Sequence, residues 1–350
     1  MSKIGIVTVY YTENTGSVLQ ATALQEVLRS FGFDVYFIST RNKYSAHSKK
    51  NLLKSVLKAI KNRANIVHCF ERYFYYEKYI EQVFVSLNAD QVKGEGIDCL
   101  VIGSDTVWDI NSNYFLKSSE LFWGTKWDNS IPIITYAASI ANSCYDKLDT
   151  FKYSVNGLRK IKQIGVRDNY TKSYVERIVD HDTVLNCDPT LLLDFDFYRK
   201  KCFEINEKYI LIYLFEDLSE ELRVKLKLFA KEKELKIICV GKYIEGSHEW
   251  KPSTIENFLS YFLCAEYIVT NTFHGTVFSV IFNKIFISLD FNKVKVKELL
   301  YSLGLETRLV KDDVDVLVKE KIDYKIVNQK LEQLKSVSRS YLYKAINECI

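Results

Sequence analysis

Residues 3–38 read KIGIVTVYYTENTGSVLQATALQEVLRSFGFDVYFI. A short run rich in β-branched residues leads into the turn residues TENTG. Val18 to Leu28 then carries apolar residues at helical spacing, and FDVYFI has the composition of a second strand. The order strand, turn, helix, strand is typical of two parallel strands joined by a helix.

The same alternation continues along the chain. Strand-like runs return at 97–103, 131–139, 161–168 and 181–189, and a second series begins near 208 with KYILIYLF, LKIICVG, EYIVTN and KIFISLD. Helical patterns separate the strands of this second series, around 218–234, 254–263 and from about 275. We therefore predict an α/β fold with two Rossmann-like parallel-sheet domains that face each other across a cleft, followed by a C-terminal helix.

The segment LLLDFDFYRKKCFEINE marks the predicted domain boundary. The first domain is predicted over 1–195 and includes a basic helical segment at 41–90. The second domain is predicted over 205–322, and the C-terminal helix over 323–350. Ligands of such open sheets bind at the carboxyl ends of the strands.

The amino-acid composition limits the classes of protein to which the chain can belong. The chain has 350 residues, of which 47% are hydrophobic and 26% charged, typical of a folded globular protein. Its formal net charge of +4 is too small to predict nucleic-acid binding. No signal-peptide pattern and no apolar run of ~18–20 residues is present, so we expect a cytoplasmic protein whose membrane contact, if any, is peripheral. Eight scattered cysteines without metal-ligand spacing predict reduced thiols and no metal site.

The segment from Arg41 to Phe70 contains eight basic residues and no acidic one. Within it, one helical face is apolar and the opposite face is basic. The apolar face comprises Leu52, Leu53, Val56, Leu57 and Ile60, and the basic face Lys50, Lys54, Lys58 and Lys61. Two interpretations stay open: a surface helix docked on the core, or peripheral contact of residues 49–63 with anionic lipid headgroups or a lipid-linked acceptor.

Two candidate sites follow the first strands. The TENTG loop, with Asn14 and Gly16, opens a helix whose backbone amides could bind an anion; the alternative is an ordinary turn with a helix cap. Ser104, Asp105 and Trp108 follow the strand-like IDCLVI and combine a small residue, a carboxylate and an indole, which suits a sugar. The alternative is that Asp105 caps a helix and Trp108 packs in the core.

Arg167 ends the strand-like IKQIGV, where a guanidinium can bind a carboxylate or phosphate. The competing interpretation is a local ion pair with Asp168 or another neighbour.

The strongest local signal is YIVTNTFHGTVFSVIF at 267–282. A strand ends in the polar turn of Asn271 and Thr272, and His274–Gly275 opens the next helix. Backbone amides there attract phosphate. The positive end of a helix disfavours a charged imidazole, whereas a bound phosphate dianion favours one, so His274 is predicted to become an acid when substrate binds. The other histidines receive no role.

Together these stretches resemble the polysaccharide pyruvyl transferase family. The matching segments occur in the family's order and cover about 1–40 and 97–310. They are KIGIVTVYYTENTGSVLQATALQ, IGSDTVWD, ITYAASI, GVRDN, CDPTLLL, YIVTNTFHGTVFSVIFNK and KVKELLYSLGLETR. Thr106 stands where many members carry glutamine, and Lys295 where many carry arginine, which keeps the charge but loses the bidentate geometry.

The resemblance implies a fold like that of the GT-B glycosyltransferases, with the acceptor on the first domain. It also implies transfer of a pyruvyl group from phosphoenolpyruvate to two hydroxyls of a sugar in a surface or capsular polysaccharide precursor, with no cofactor and no metal. Arg167, Lys295 and the amides near His274 would bind phosphoenolpyruvate. His274 would protonate the enol, and Asp105 would orient or deprotonate the acceptor.

Two other functions stay open from the sequence. A nucleotide-sugar glycosyltransferase can use the same architecture, and a non-catalytic saccharide-binding protein would bind sugar without turnover. The acceptor also stays open: a lipid-linked repeat unit, a nucleotide sugar or a finished polymer.

Overall fold

The computed structural model describes every residue except Ala46, Arg63, Asp128, His181 and Glu320. The chain forms two compact units. Unit 1 comprises Met1–Ala46, Lys78–Leu192 and Glu332–Ile350, and unit 2 comprises His47–Glu77 and Leu193–Leu331. These units differ from the predicted domains at two places. Segment 47–77 packs with unit 2 and not with the first domain, and residues 332–350 return to unit 1.

Unit 1 contains a parallel sheet with the strand order β3-β2-β1-β4-β5-β6-β7. Its strands are β1 Lys3–Val7, β2 Asp34–Ile38, β3 Ser86–Leu87, β4 Cys99–Ile102, β5 Ile133–Ala138, β6 Gln163–Val166 and β7 Thr183–Leu185. The sequence order reverses between β1 and β4, so the chain leaves these two neighbouring strands in opposite directions. A crevice for ligands forms at such a switch point.

Unit 2 contains a second parallel sheet with the order β10-β9-β8-β11-β12-β13. Its strands are β8 Tyr209–Tyr213, β9 Lys236–Val240, β10 Glu249–Lys251, β11 Tyr267–Thr270, β12 Ile285–Leu289 and β13 Leu309–Val310. Its switch point lies between β8 and β11. Every residue of β8 is buried, as expected for a parallel strand that helices cover on both faces.

Helices connect the strands of both units, and many begin at a side-chain cap. The α-helices are α1 Thr15–Ser30, α2 Lys49–Lys61, α3 Val67–Val83, α4 Asn113–Lys117, α5 Ser119–Phe122, α6 Tyr145–Asp149, α7 Ser154–Leu158, α8 Asn169–Glu176, α9 Phe195–Arg199, α10 Glu220–Glu232, α11 Ile255–Cys264, α12 Phe273–Ile281, α13 Val294–Leu303, α14 Val316–Lys319 and α15 Tyr324–Asn347. Short 3-10 helices lie at Ala89–Gln91, Pro189–Leu192 and Glu306–Arg308.

The predicted fold class is confirmed: the chain has two parallel-sheet α/β units and a C-terminal helix, α15. The predicted helix in the basic segment forms as α2, but only part of its apolar face packs against the protein. Leu52 and Val56 are half-buried, whereas Leu53, Leu57 and Ile60 are exposed. Arg63, also in that segment, lies outside the described residues. Among the described residues, no helix is both long enough and apolar enough to cross a bilayer.

Candidate active site

The loop before α1 is a capped helix start. The Asn14 side-chain oxygen accepts a hydrogen bond from the backbone N–H of Gly16 at 3.1 Å, and Gly16 is buried. This bond satisfies one of the amides that a helix start leaves open. Asn14 and Gly16 thus form the helix cap given as the alternative, and anion binding by the other amides of this helix start stays a prediction.

The turn after β4 is held by the elements around it. Ser104 is fully buried; its hydroxyl donates to Gln20 Oε1, and its carbonyl oxygen accepts from Thr8 Oγ1 at 3.2 Å. Gly103 has φ of +116°, and a Cβ there would lie 2.2 Å from the carbonyl oxygen of Tyr136. Ser104 thus holds the turn in place, which differs from the predicted contact with a sugar.

Trp108 lies in the core of unit 1 and not on a ligand surface. Its side chain is fully buried, its ring stacks on Trp123 with centroids 5.0 Å apart, and its indole N–H donates to the carbonyl oxygen of Phe122 at 2.8 Å. A sugar has no access to this ring. The predicted stacking role is replaced by the alternative, a packing residue.

Asp105 is nearly buried and accepts hydrogen bonds on both carboxylate oxygens. Ser17 Oγ donates to Oδ2 at 3.0 Å, and the backbone N–H of Thr106 donates to Oδ1 at 2.8 Å. Arg167 Nη2 lies 3.7 Å from the same Oδ1. Ser17 belongs to the first turn of α1, so the carboxylate sits at the switch point between β1 and β4.

Arg167 lies between two carboxylates. Its Nη1 is 3.4 Å from Asp188 Oδ2, and both side chains of this pair are almost inaccessible to water, at 3% and 0% exposure. Asp168, the partner considered in the sequence, instead caps α8 by accepting from Thr171. A guanidinium that two carboxylates already neutralise is a weak site for a further anion. The structure thus supports the ion-pair interpretation of Arg167, with Asp105 and Asp188 as partners.

Asp188 is fixed from several sides. The backbone N–H and the hydroxyl of Thr190 donate to its Oδ1 at 3.1 and 2.7 Å. The preceding residue, Cys187, accepts from the phenol of Tyr136 at 2.9 Å, and Ser338 of α15 accepts from the Cys187 N–H at 2.9 Å. Burial raises the pKa of Tyr136, so this phenol is a neutral donor. The carboxylate that holds Arg167 therefore has a rigid support.

In unit 2, the turn between β11 and α12 is built from threonine hydroxyls. Thr270 Oγ1 donates to the carbonyl oxygen of Tyr213 at 2.8 Å, and Thr272 Oγ1 caps α12 by accepting from the Gly275 N–H at 2.9 Å. Gly275 is required by close packing, since a Cβ there would lie 2.1 Å from Thr270 Oγ1. The Gly275 amide serves the cap, and phosphate binding by the other amides at the start of α12 stays a prediction.

His274 lies in the first turn of α12, at the switch point between β8 and β11. It is 7% exposed, and its ring is 5.3 Å from that of Phe273. Lys295 lies in the first turn of α13, and its Nζ is 5.3 Å from the centre of the same Phe273 ring. His274 and Lys295 therefore both border the Phe273 ring, and their assignment to one substrate site stays a prediction.

Two residues absent from the predicted site join this cluster. Glu216, which follows β8, accepts from the side-chain amide of Asn271 and lies 2.9 Å from Lys293 Nζ. Lys293 also donates to the carbonyl oxygen of Asn271 at 2.8 Å, and Asn271 Oδ1 accepts from the N–H of Phe215 at 3.0 Å. The sequence predicts that Asn271 contacts substrate. In the structure, its side chain instead joins the ends of β8 and β11.

The two clusters have different chemistry. The unit 1 cluster consists of the carboxylates of Asp105 and Asp188 around the guanidinium of Arg167, which suits hydrogen bonding to hydroxyls. The unit 2 cluster combines an imidazole with two lysines and one glutamate beside a helix start, which suits an anion. Among the described residues, no group of three or more His, Cys, Asp or Glu side chains is placed to hold a metal ion.

Gly275→Ala is expected to lower the free energy of unfolding by about 1–3 kcal/mol, the usual cost of forcing an extra carbon into a packed site. The new Cβ would displace Thr270 and Thr272, whose hydroxyls hold the turn. Urea denaturation measures the change. Gly94→Ala is the matched control, because a Cβ there meets only the carbonyl oxygen of Gln91 at 3.6 Å. Equal stability of the two variants would contradict the packing argument.

Comparison with protein families identifies one match. The model of the family described as polysaccharide pyruvyl transferase matches residues 14–292. That range includes the Asp105–Arg167–Asp188 cluster, His274 and both strands of the unit 2 switch point, β8 and β11. No curated protein sequence matches the chain.

Solved structures match the fold over nearly the whole chain at low identity. The UDP-GlcNAc 2-epimerase of Neisseria meningitidis, solved with UDP-GlcNAc bound, is 10% identical; the match covers 99% of this chain and 98% of that one with a TM-score of 0.53. The UDP-GlcNAc 2-epimerase of Methanocaldococcus jannaschii is 14% identical, with 91% of each chain covered and a TM-score of 0.51. At this identity the similarity concerns the fold alone.

Proposed function

Because the chain belongs to the polysaccharide pyruvyl transferase family, we propose that it transfers the pyruvyl group of phosphoenolpyruvate to two hydroxyls of one sugar. The product is a cyclic ketal in a polysaccharide precursor, and phosphate is released. The observation that carries the proposal is the unit 2 cluster, in which His274 and Lys295 border Phe273 at a topological switch point. An acid and a cation are the two groups that this reaction needs.

Phosphoenolpyruvate is a small anion with a carboxylate and a phosphate, and the cations of unit 2 suit it. Lys295 supplies a positive charge in the first turn of α13, and the start of α12 adds the partial positive charge of a helix N-terminus. Lys293 is held by Glu216 and Asn271, so its role is to fix the turn. Lys295 is therefore the proposed ligand for the phosphate of the donor.

The proposed reaction begins with a proton. The His274 imidazole donates a proton to the methylene carbon of the enol, which becomes the methyl group of the ketal. C2 then has oxocarbenium character, and the oxygen of the first sugar hydroxyl forms a bond to it; the proton of that hydroxyl returns to the imidazole. The bond from C2 to the phosphate oxygen breaks, the second hydroxyl attacks C2, and its proton leaves with the phosphate.

Asp105 is the proposed group that orients the acceptor. Its carboxylate is fixed by Ser17, Thr106 and Arg167 and retains 13% side-chain exposure. An ionised carboxylate held in this way accepts a hydrogen bond from a hydroxyl strongly. Arg167, whose Nη2 lies 3.7 Å from Oδ1, would hold this carboxylate in place and would act through it.

The test offers phosphoenolpyruvate with a panel of hexoses, some lipid-linked and some nucleotide-linked. Phosphorus NMR follows phosphate release, and mass spectrometry detects a product heavier than the acceptor by pyruvate less water. We expect phosphate and ketal in equal amounts. Release of a nucleoside diphosphate from an activated sugar, with phosphoenolpyruvate unused, would instead indicate a glycosyltransferase. Acceptor binding without turnover of phosphoenolpyruvate would indicate a saccharide-binding protein.

Lys295→Gln is expected to raise the KM for phosphoenolpyruvate by about 10- to 100-fold, the usual worth of a charge-assisted hydrogen bond. Steady-state phosphate release measures this change. Lys297→Gln is the control, since Lys297 lies on the same helix and pairs with Asp290 at 3.1 Å. A KM that rises equally in both variants would show that the loss of positive charge acts at long range and not at a contact.

A further inference from the structure

Helix α2 carries an uncovered apolar stripe. Leu53, Leu57 and Ile60 are 60%, 58% and 58% exposed and lie on one face, at spacings of four and three residues. The neighbouring face, with Ala59 buried and Leu52 and Val56 half-buried, faces the protein. Single exposed apolar residues are ordinary, but an aligned set along one helix indicates a contact surface.

Lysines flank this stripe, and their charge is not offset within the helix. Residues 49–61 contain five lysines and no acidic residue. The adjoining cavity, which has a volume of about 1070 Å³, is lined by the carboxylates of Asp217 and Glu245. These pair with Lys242 at 2.7 Å and Arg223 at 2.8 Å. The exposed face of α2 is therefore both apolar and strongly positive.

Helix α3 adds exposed apolar residues within unit 2, and the charges at its start are mixed, with the exposed Glu71 next to Arg72. Val67, Phe70 and Phe74, spaced three and four residues apart, are 52%, 40% and 58% exposed. Arg72 of α3 donates to Ser55 of α2 at 3.5 Å, which joins the two helices. The Ser48 side chain caps the start of α2, and the phenol of Tyr76 in α3 donates to the carbonyl oxygen of Ser253 at 2.9 Å, which ties α3 to the rest of unit 2. The apolar stripes are thus presented on an ordered support.

We propose that the exposed faces of α2 and the start of α3 bind the surface of an anionic lipid bilayer. Apolar side chains enter the boundary between headgroups and acyl chains, and the lysines lie against the anionic headgroups. A second copy of this chain is disfavoured as the occupant, because a two-fold interface would place the five lysines of one α2 near those of the other. The proposal does not depend on the reaction proposed above.

Vesicle flotation with the full chain tests it. One set of vesicles is phosphatidylcholine alone, and the other contains about one third phosphatidylglycerol. We expect the protein to float with the anionic vesicles at low salt and to bind the neutral ones at least tenfold less, and raising the salt should weaken binding. Light scattering measures the oligomeric state of the unbound protein.

Two double variants of α2, each with a control in α10, separate the contribution of the apolar side chains from that of the lysines. Leu53→Glu/Leu57→Glu is expected to reduce binding more than tenfold, whereas Val224→Glu/Leu228→Glu, which changes exposed apolar residues of α10 in the same unit, should not. Lys50→Gln/Lys54→Gln is expected to reduce binding by roughly 30-fold, at about 1 kcal/mol for each lysine near the surface. Lys227→Gln/Lys231→Gln, on α10, is its control.

Because all substituted side chains are exposed, each variant should keep the wild-type melting temperature. The proposal is overturned if the wild type binds neither kind of vesicle at low salt, or if the α2 variants float as well as the α10 controls. It is also overturned if the wild type dimerises through α2 and the dimer does not float. A failure of the ketal assay would leave these results unchanged, since no step of the flotation uses substrate.

Discussion

His274→Ala is expected to lower kcat by about 10²–10⁴-fold, the usual contribution of one positioned acid. The methyl side chain cannot protonate the methylene carbon of phosphoenolpyruvate, and water has little access to a site where the imidazole is 7% exposed. The KM for phosphoenolpyruvate should change far less than kcat, because Lys295 and the start of α12 remain. Phosphate release under saturating donor and acceptor measures the effect.

Two further variants make this expectation specific. His274→Gln keeps the volume and the hydrogen-bonding capacity of the side chain but cannot carry the proton, so it should be as slow as His274→Ala. His68→Gln removes another imidazole of unit 2, one whose pKa burial lowers, and should retain wild-type turnover. A His274→Gln variant with near-wild-type kcat would show that the imidazole is only a structural group of the turn.

The fold could be predicted because its signals are local. Parallel strands that helices cover on both faces are continuous apolar runs, as in IDCLVIG and KYILIYLF, and the helices between them have their own periodicity. The edge strands β3, β10 and β13 carry no such signal. They have only two or three residues, and their pairing with β2, β9 and β12 depends on tertiary contacts.

The candidate site was predictable only where one strand and its turn contain it. The segment around His274 is of that kind, because its cap, Thr272, and its helix start are adjacent in sequence. The sequence did not predict Glu216 and Lys293, because these two residues and Asn271 lie in three separate loops and meet only in the folded protein. The partner of Arg167 was missed for the same reason, since Asp188 follows the next strand along the chain.

The exposed face of α2 shows a third kind of limit. Periodicity predicts that Leu52, Leu53, Val56, Leu57 and Ile60 share a broad apolar face, but it does not reveal how much of this face the rest of the protein covers. In the folded chain, the rest of the protein covers only the side of α2 that contains Leu52 and Val56.

Arg167→Met is expected to lower the free energy of unfolding by about 3–5 kcal/mol, because it leaves buried carboxylates without their cation. Asp188 has no exposed side-chain surface, and the hydrogen bonds from Thr190 carry no full positive charge to replace the guanidinium. Arg177→Met is the matched control, since Arg177 also pairs with an aspartate, Asp149 at 3.1 Å, but both side chains are partly exposed. Arg177→Met should lower the free energy of unfolding by less than about 1 kcal/mol. Urea denaturation, read by circular dichroism, compares the two.

The double variant Arg167→Met/Asp188→Asn tests the cause of that loss. Asparagine carries no charge and keeps an oxygen that can accept from Thr190, so the double variant should recover a substantial part of the stability that Arg167→Met loses. If Arg167→Met is instead as stable as Arg177→Met and its KM for phosphoenolpyruvate rises sharply, then the guanidinium binds the donor and the ion-pair interpretation is wrong. The two results are mutually exclusive, because a guanidinium whose removal leaves the fold intact was not needed to neutralise Asp188.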